Sequence, residues 1–252
     1  MGDIIVLDKI NKSYGETVVV QVLFDIGLTI QSGQFTAFIG PSGSGKTTLL
    51  NIIGLLESPT SGKIFLEGQD ISELDRDELA LYRNNKIGFI FQFHYLLPEF
   101  TALENVLIPY WIGNGKPPRV IVDRAMYLMD RIGIRQYYDK YPNQMSGGQQ
   151  QRVAIARSLI NQPKIIFADE PTGNLDSKSS TLVMELLKEI IRENNTNLVM
   201  VTHDRKIATT ADRVIELVDG RINKDYLLEQ VGKEQVREKL EHLSCTIGDE
   251  PC

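Results

Sequence analysis

Gly40-Pro41-Ser42-Gly43-Ser44-Gly45-Lys46-Thr47 is the stretch from which the rest of the chain is read. It satisfies the Gly-x-x-x-x-Gly-Lys-Thr phosphate-loop pattern in the right setting, with an apolar strand at 35–39 before it and a helical run at 46–54 after it. The glycines let backbone N–H groups wrap phosphate oxygens, and the helix N-terminus adds the positive end of its dipole. In such a loop Lys46 reaches the β- and γ-phosphates and Thr47 ligates Mg²⁺, with Thr48 beside it as a further nucleotide contact.

A second run, Lys164-Ile165-Ile166-Phe167-Ala168-Asp169-Glu170, is an apolar strand that ends in two acids. Alone it is weak evidence, since many strands stop at Asp. Beside a phosphate loop it reads as the strand that carries Asp169 to the Mg²⁺ shell. Glu170 then stands as general base for an attacking water.

Outward from these two runs the pattern is βα. Strand-like stretches fall at 4–10, 18–30, 62–66, 87–91, 197–201 and 213–217. Helix-spaced apolar positions fall at 102–111, 120–132, 147–160 and 177–192, with Pro109, Pro117, Pro118 and Pro142 as breakers. The expected fold is α/β: a P-loop NTPase core with a mainly parallel sheet, an N-terminal antiparallel β region and an inserted helical lobe. The expected division is a nucleotide-binding core at 1–92 and 161–223, a helical subdomain at 93–160 and a C-terminal helical extension and tail at 224–252.

Met145-Ser146-Gly147-Gly148-Gln149-Gln150-Gln151-Arg152 chooses among phosphate-loop proteins. Ser146, Gly147 and Gly148 open a helix, giving a second anion-binding helix start about a hundred residues from the first. The run resembles the signature of ATP-binding-cassette (ABC) ATPases, with Met145 where Leu is usual, a swap that keeps an apolar side chain of similar volume, unbranched at Cβ. The resemblance covers about residues 3–222. It implies that Tyr14 stacks on adenine, that Gln92 senses Mg²⁺ and the attacking water, and that His203 contacts the γ-phosphate. Asn174-Leu175-Asp176 is similar to the D-loop, with Asp176 among the nucleotide-binding positions. The resemblance also implies that the phosphate loop of one subunit meets Ser146, Gly147, Gly148 and Gln149 of another, in a head-to-tail dimer closing on two Mg-ATP. His94 and His242 match no station and receive neither a metal nor a catalytic role.

The stretch from Gln92 to Val106 and the run 171–176 resemble the lipoprotein-releasing and macrolide-exporter group of ABC ATPases, which drive a separate integral-membrane transporter subunit by mechanotransmission. Phe93, Tyr95, Leu96 and Leu97 either line the groove for that partner or pack inside the helical lobe. A soluble ABC ATPase of nucleic-acid repair or translation is the alternative, but the chain has one cassette and no extended heptad run. No nucleic-acid partner is expected.

Bulk properties agree. Across 252 residues the chain is 42% hydrophobic and 24% charged, which suits a globular protein with its own core. A net charge of −6 argues against broad adhesion to nucleic acid or anionic lipid. No secretory leader and no bilayer-length apolar run is evident, and the body lacks cysteine, as in a reducing cytosol. The expected location is therefore peripheral, on the cytoplasmic face of the cell membrane. In the tail, 225–243 carries an imperfect helical stripe, and Cys245 and Cys252 are read as incidental thiols, with a disulfide or metal as the lesser alternative.

Overall fold

The computed structural model describes residues 2–173, 175 and 177–231. Two sheets organise it. The first is antiparallel, in the order β2-β1-β4-β5, built from β1 (Asp3–Tyr14), β2 (Val20–Gln31), β4 (Ser61–Leu66) and β5 (Gln69–Asp70). The second has six strands in the order β10-β9-β3-β8-β7-β6: β3 (Phe35–Ile39), β6 (Ile87–Ile90), β7 (Ile165–Asp169), β8 (Asn197–Val201), β9 (Arg213–Val218) and β10 (Arg221–Leu227). All its pairings are parallel except that of β10 with β9. The expected α/β class, with an antiparallel N-terminal region and a mostly parallel sheet, is what forms.

The central strands are apolar without a break because both faces are covered. Successive residues alternate between two cores. Ala37, Ile166, Ala168, Leu198 and Met200 join one cluster, while Phe38, Ile165, Phe167, Val199 and Val201 join the other. The second cluster is closed by α1 (Lys46–Ile53) and by the inward residues of the antiparallel sheet, such as Ile5, Ile26 and Leu66. The first is closed by α3 (Ala102–Asn114), α4 (Arg119–Arg131), α5 (Gly147–Leu159) and α6 (Ser177–Asn194). Helices α3 to α5 lie between β6 and β7 in sequence, and their buried residues Val106, Met129 and Ile155 share that cluster with the sheet.

Several boundaries differ from expectation for physical reasons. Helix α3 runs through Pro109 to Asn114, because a Thr101–Glu104 capping box starts it and Ala102, Asn105, Val106 and Leu107 bury its first turns. Helix α2 (Arg76–Lys86) lies outside the expected elements: only Leu79 and Tyr82 pack partly against the core and no residue is fully buried, so its apolar stripe is thin, although Asp75 and Glu78 form a capping box at its start. The helical reading of 225–243 is corrected at its beginning. Asp225 is held in β10 by the fork of Arg213, at 2.8 and 2.5 Å, and Tyr226 is buried, so the chain becomes helical only in α8 (Leu228–Val231). Val236, Leu240, Leu243, His242, Cys245 and Cys252 lie outside the described residues. Among the described residues, no helix is long and apolar enough to cross a membrane.

Candidate functional site

Strand β3 delivers the chain into the phosphate loop at Gly40. Its φ is +146°, and a methyl group placed there would meet the carbonyl oxygen of Leu217 at 2.0 Å, so only glycine lets the loop leave the sheet at this point. The loop closes on Gly45, the N-cap of α1. No side chain caps α1 and no acid sits in its first turn. By contrast, α2, α3 and α5 each start with a capping box. The first-turn N–H groups of α1 are thus left for an anion.

Gly40, Ser42, Gly43, Gly45, Lys46, Thr47 and Thr48 line a cleft of about 580 Å³ together with Val22, Glu170, Val201 and His203. Lys46 folds into the loop, its Nζ donating to the carbonyls of Gly40 (3.0 Å) and Pro41 (2.7 Å). Burial lowers its pKa, against the pull of the Glu170 and Asp169 charges. Ser44 is buried, with Oγ 3.4 Å from Lys46 Nζ.

Asp169 ends β7 opposite Val201 of β8. Burial raises its carboxyl pKa, and the neighbouring Glu170 charge adds to this, while the hydroxyl of Thr47 and the charge of Lys46 oppose it. Thr47 and Asp169 therefore stand close together. A hydroxyl and a half-buried carboxylate that gains from a nearby cation are a donor set that fits Mg²⁺, which takes few protein oxygens and fills its shell with water and phosphate. Among the described residues there is no group of three His, Cys, Asp or Glu that would instead mark an all-protein metal cage.

Glu170 turns sharply out of β7 with φ +45°, its N–H donating to Val201 O at 3.0 Å. A left-handed glutamate is strained backbone, of the kind found at functional positions. His203, 70% exposed, donates from Nδ1 to Glu170 Oε1 at 2.9 Å. Gly173 sits against both Gln92 and Glu170: a methyl group on it would stand 3.2 Å from Gln92 Nε2 and 3.3 Å from Glu170 Oε2. Lys46, Thr47, Glu170 and His203 thus line one cleft, with Asp169 beside Thr47 and Gln92 against Gly173 next to Glu170.

Tyr14 stands at its edge, 41% exposed. Two residues not singled out in the sequence hold it: Glu57 Oε2 accepts from its hydroxyl at 2.8 Å, and Lys12 Nζ lies 4.8 Å from the ring centroid and 3.0 Å from Glu57 Oε1. Burial raises the phenol pKa, and the hydrogen bond to Glu57 raises it further.

Ser146, Gly148 and Gln149 are elsewhere. They line a separate cleft of about 230 Å³ with Gly133, Gln136, Tyr137 and Arg152, and the two clefts share no residue. Ser146 and Gln149 also cap α5 reciprocally: Ser146 N–H donates to Gln149 Oε1 at 2.8 Å, and Gln149 N–H to Ser146 Oγ at 3.3 Å. Met145 is buried in the helical core, where its apolar chain serves as Leu would. Asp176 and Asn174 lie outside the described residues.

Of the apolar quartet before α3, Leu96 packs against the core, whereas Phe93, Tyr95 and Leu97 are exposed. Tyr95 borders a groove of about 460 Å³ with Leu56, Phe91, Pro109 and Ile112 among its walls.

The model of the ABC transporter family matches residues 23–173. A relative from Rhodopseudomonas palustris, "Lipoprotein-releasing system ATP-binding protein LolD 1", is 48% identical over 88% of this chain and 99% of its own length. The Aquifex aeolicus "Lipoprotein-releasing system ATP-binding protein LolD" is 49% identical over 80% of this chain and 89% of its own. Among solved structures, a dimeric ATP-binding cassette in a post-hydrolysis state with ADP and Pi superposes with a TM-score of 0.83 at 41% identity, covering 89% of this chain and 98% of that one.

Proposed function

The chain belongs to the ABC transporter family and is an ATP-binding, ATP-hydrolysing subunit; from that premise we propose that it powers a lipoprotein-releasing complex through a separate integral-membrane partner. The near-complete coverage of relatives that carry this name supports the assignment of cargo class. In this reading the subunit works peripherally, held to the cytoplasmic face by that partner; among the described residues no helix is long and apolar enough to cross a membrane.

One observation supports the mechanism: the phosphate-loop cleft and the signature cleft share no residue, which favours a reading in which each nucleotide is enclosed by two chains. Two copies arranged head to tail place Ser146, Gly147, Gly148 and Gln149 of one on the nucleotide held by the other. Lys46 and the α1 N-terminus hold phosphates, and Tyr14 stacks on adenine. Thr47, Asp169 and Gln92 would hold Mg²⁺, which would neutralise phosphate charge when bound. Glu170 accepts the proton of the attacking water, and His203, tied to Glu170, orients it and faces the γ-phosphate. Moving a dimer from 1:99 to 99:1 closed takes about 5.5 kcal/mol of differential binding, so each ATP supplies roughly half. Losing the γ-phosphate removes that preference, and the dimer reopens. The groove beside Tyr95 and Ile112 receives the partner.

Purification from native membranes in mild detergent tests this. An integral-membrane protein that stimulates ATP hydrolysis should co-purify, and Tyr95→Asp or Ile112→Asp, both in the walls of that groove, should release it without loss of basal activity. Retention of the partner by both variants would count against the groove. Stimulation by nucleic acid instead of a membrane protein would overturn the transport reading.

A further inference from the structure

We infer that Gln151 is a positioning residue that links the two nucleotide sites of the dimer to each other through the first turns of α5. The inference rests on the head-to-tail reading above, in which Gln92 and Glu170 serve the nucleotide on this chain's phosphate loop while Ser146 to Gln149 serve the other.

Gln151 is 1% exposed, one turn into α5 from the signature. Its Nε2 donates to Pro171 O at 2.6 Å. That carbonyl only accepts, so the amide orientation is fixed and Oε1 must be the acceptor toward His94 Nδ1, 2.5 Å away. The His94 proton therefore sits on Nδ1. One side chain thus bonds the residue that follows Glu170 and the residue two places after Gln92.

Other contacts converge on the same helix start. His94 Nε2 faces the signature itself, 3.9 Å from where a methyl group on Gly147 would stand. Leu175 lies beside Gly148 in the same way, at 3.6 Å. Further along α5, the Arg157 guanidinium donates to His94 O at 2.7 Å and Tyr95 O at 2.8 Å, and burial pushes its pKa down to about 10. The segments that follow Gln92 and Glu170 are thus fastened to the helix whose tip serves the opposite nucleotide.

Such a link has two arrangements, made and broken, and no soft intermediate. Breaking either amide bond leaves a polar atom unpaired inside the core. When the far nucleotide draws on the α5 tip, Gln151 carries the shift to Pro171 and His94, and so to Glu170 and Gln92. Engagement at one site sets the geometry of the other.

The test measures ATP hydrolysis against ATP concentration for the full chain and for Gln151→Met, His94→Leu and His94→Asn. Dimerisation with ATP is read by light scattering in a Glu170→Gln background. Two coupled sites give a Hill coefficient approaching their number. Gln151→Met and His94→Leu should keep nucleotide affinity and the trapped dimer, yet lower kcat about tenfold and bring the Hill coefficient to about 1. His94→Asn, whose amide N–H takes the place of Nδ1–H, should restore both. A merely structural role predicts lost dimer and affinity together, with no rescue by Asn. A wild-type Hill coefficient in Gln151→Met and His94→Leu overturns the link, as does a His94→Asn variant no better than His94→Leu. If Gln151→Met does not fold, the His94 pair decides alone. A Glu170→Gln protein that stays monomeric with ATP overturns the dimer reading, and this inference with it.

Discussion

His203 and Glu170 meet through a single hydrogen bond, Nδ1 to Oε1 at 2.9 Å, although 33 residues of chain separate them. The sheet makes this inevitable. Parallel strands β7 and β8 end side by side, with Asp169 opposite Val201, so the residues just beyond each end fall together above the same edge. A carboxylate pinned by an imidazole and bent outward by a left-handed backbone is aimed rather than mobile.

Removing its negative charge should therefore stop the chemistry and spare the binding. Glu170→Gln keeps the shape and can still accept from His203, but it takes no proton from water. General-base loss typically costs 10²–10⁴-fold, so kcat should fall by at least about a hundredfold. ATP affinity should stay within about twofold of wild type, because phosphate binding depends on Lys46 and the α1 N-terminus. Single-turnover hydrolysis and equilibrium nucleotide binding check the two halves, and hydrolysis at the wild-type rate would remove Glu170 from the mechanism.

Tyr14 gives a different split. Stacking a base on an aromatic ring contributes about 1–3 kcal/mol, so Tyr14→Ala should weaken ATP binding roughly 5- to 150-fold with little change in kcat. Tyr14→Phe keeps the ring and loses only the hydrogen bond to Glu57. It should stay within severalfold of wild type. Raised KM for both ATP and GTP in the Ala variant, since every base offers a π-face, would support the stacking role; equal KM values in wild type and Tyr14→Ala would contradict it.

The sequence carried these residues unevenly. Gly40 to Thr47, Asp169 and Glu170 were legible because each side chain sits at a fixed offset from a strand end, and period-2 burial on both faces makes such strands continuous apolar runs. Helix α2 was hidden because it buries only part of Leu79 and Tyr82, too short a stripe for periodicity to report, and its Asp75-x-x-Glu78 box is the stronger signal. Glu57 and Lys12 are one step further from legibility. Each is an ordinary surface charge until β1 and the end of α1 bring them to Tyr14. Gln151 was visible only as part of a polar run, and nothing local says that one glutamine of three is 1% exposed.

Ser146 and Gln149 also hold up α5, which separates their structural cost from any role in nucleotide binding. The reciprocal bonds are a capping box, and replacing its Ser by Ala costs about 0.5–2 kcal/mol. Ser146→Ala should lower Tm by about 1–8 °C for a domain of this size. Ser146→Asp supplies an alternative cap acceptor, so its Tm should return toward wild type while its charge repels phosphate and keeps ATPase activity low. Calorimetry beside steady-state hydrolysis distinguishes the two; full activity in Ser146→Asp would free the signature serine from any phosphate contact.

His94 sets an acid limit on stability. Burial lowers its pKa below 6.5, the nearby Arg157 charge lowers it further, and the bond to Gln151 only partly opposes them. The groups facing the ring are that cation, the Gln151 amide and Gly147, with no carboxylate among these contacts to hold a second proton. A histidine whose folded pKa lies below its unfolded value binds fewer protons folded than unfolded as pH falls through 6.5. Its contribution is complete above about pH 7.5 and is lost progressively as pH drops from there toward the depressed value. His94→Asn does not titrate. Melting curves of the two proteins should therefore agree at pH 8 and diverge toward pH 5, with wild type losing more. Parallel losses across that range would mean that His94 takes up its proton without cost, and that the imidazole is better solvated than its place between α5 and the chain after Gln92 allows.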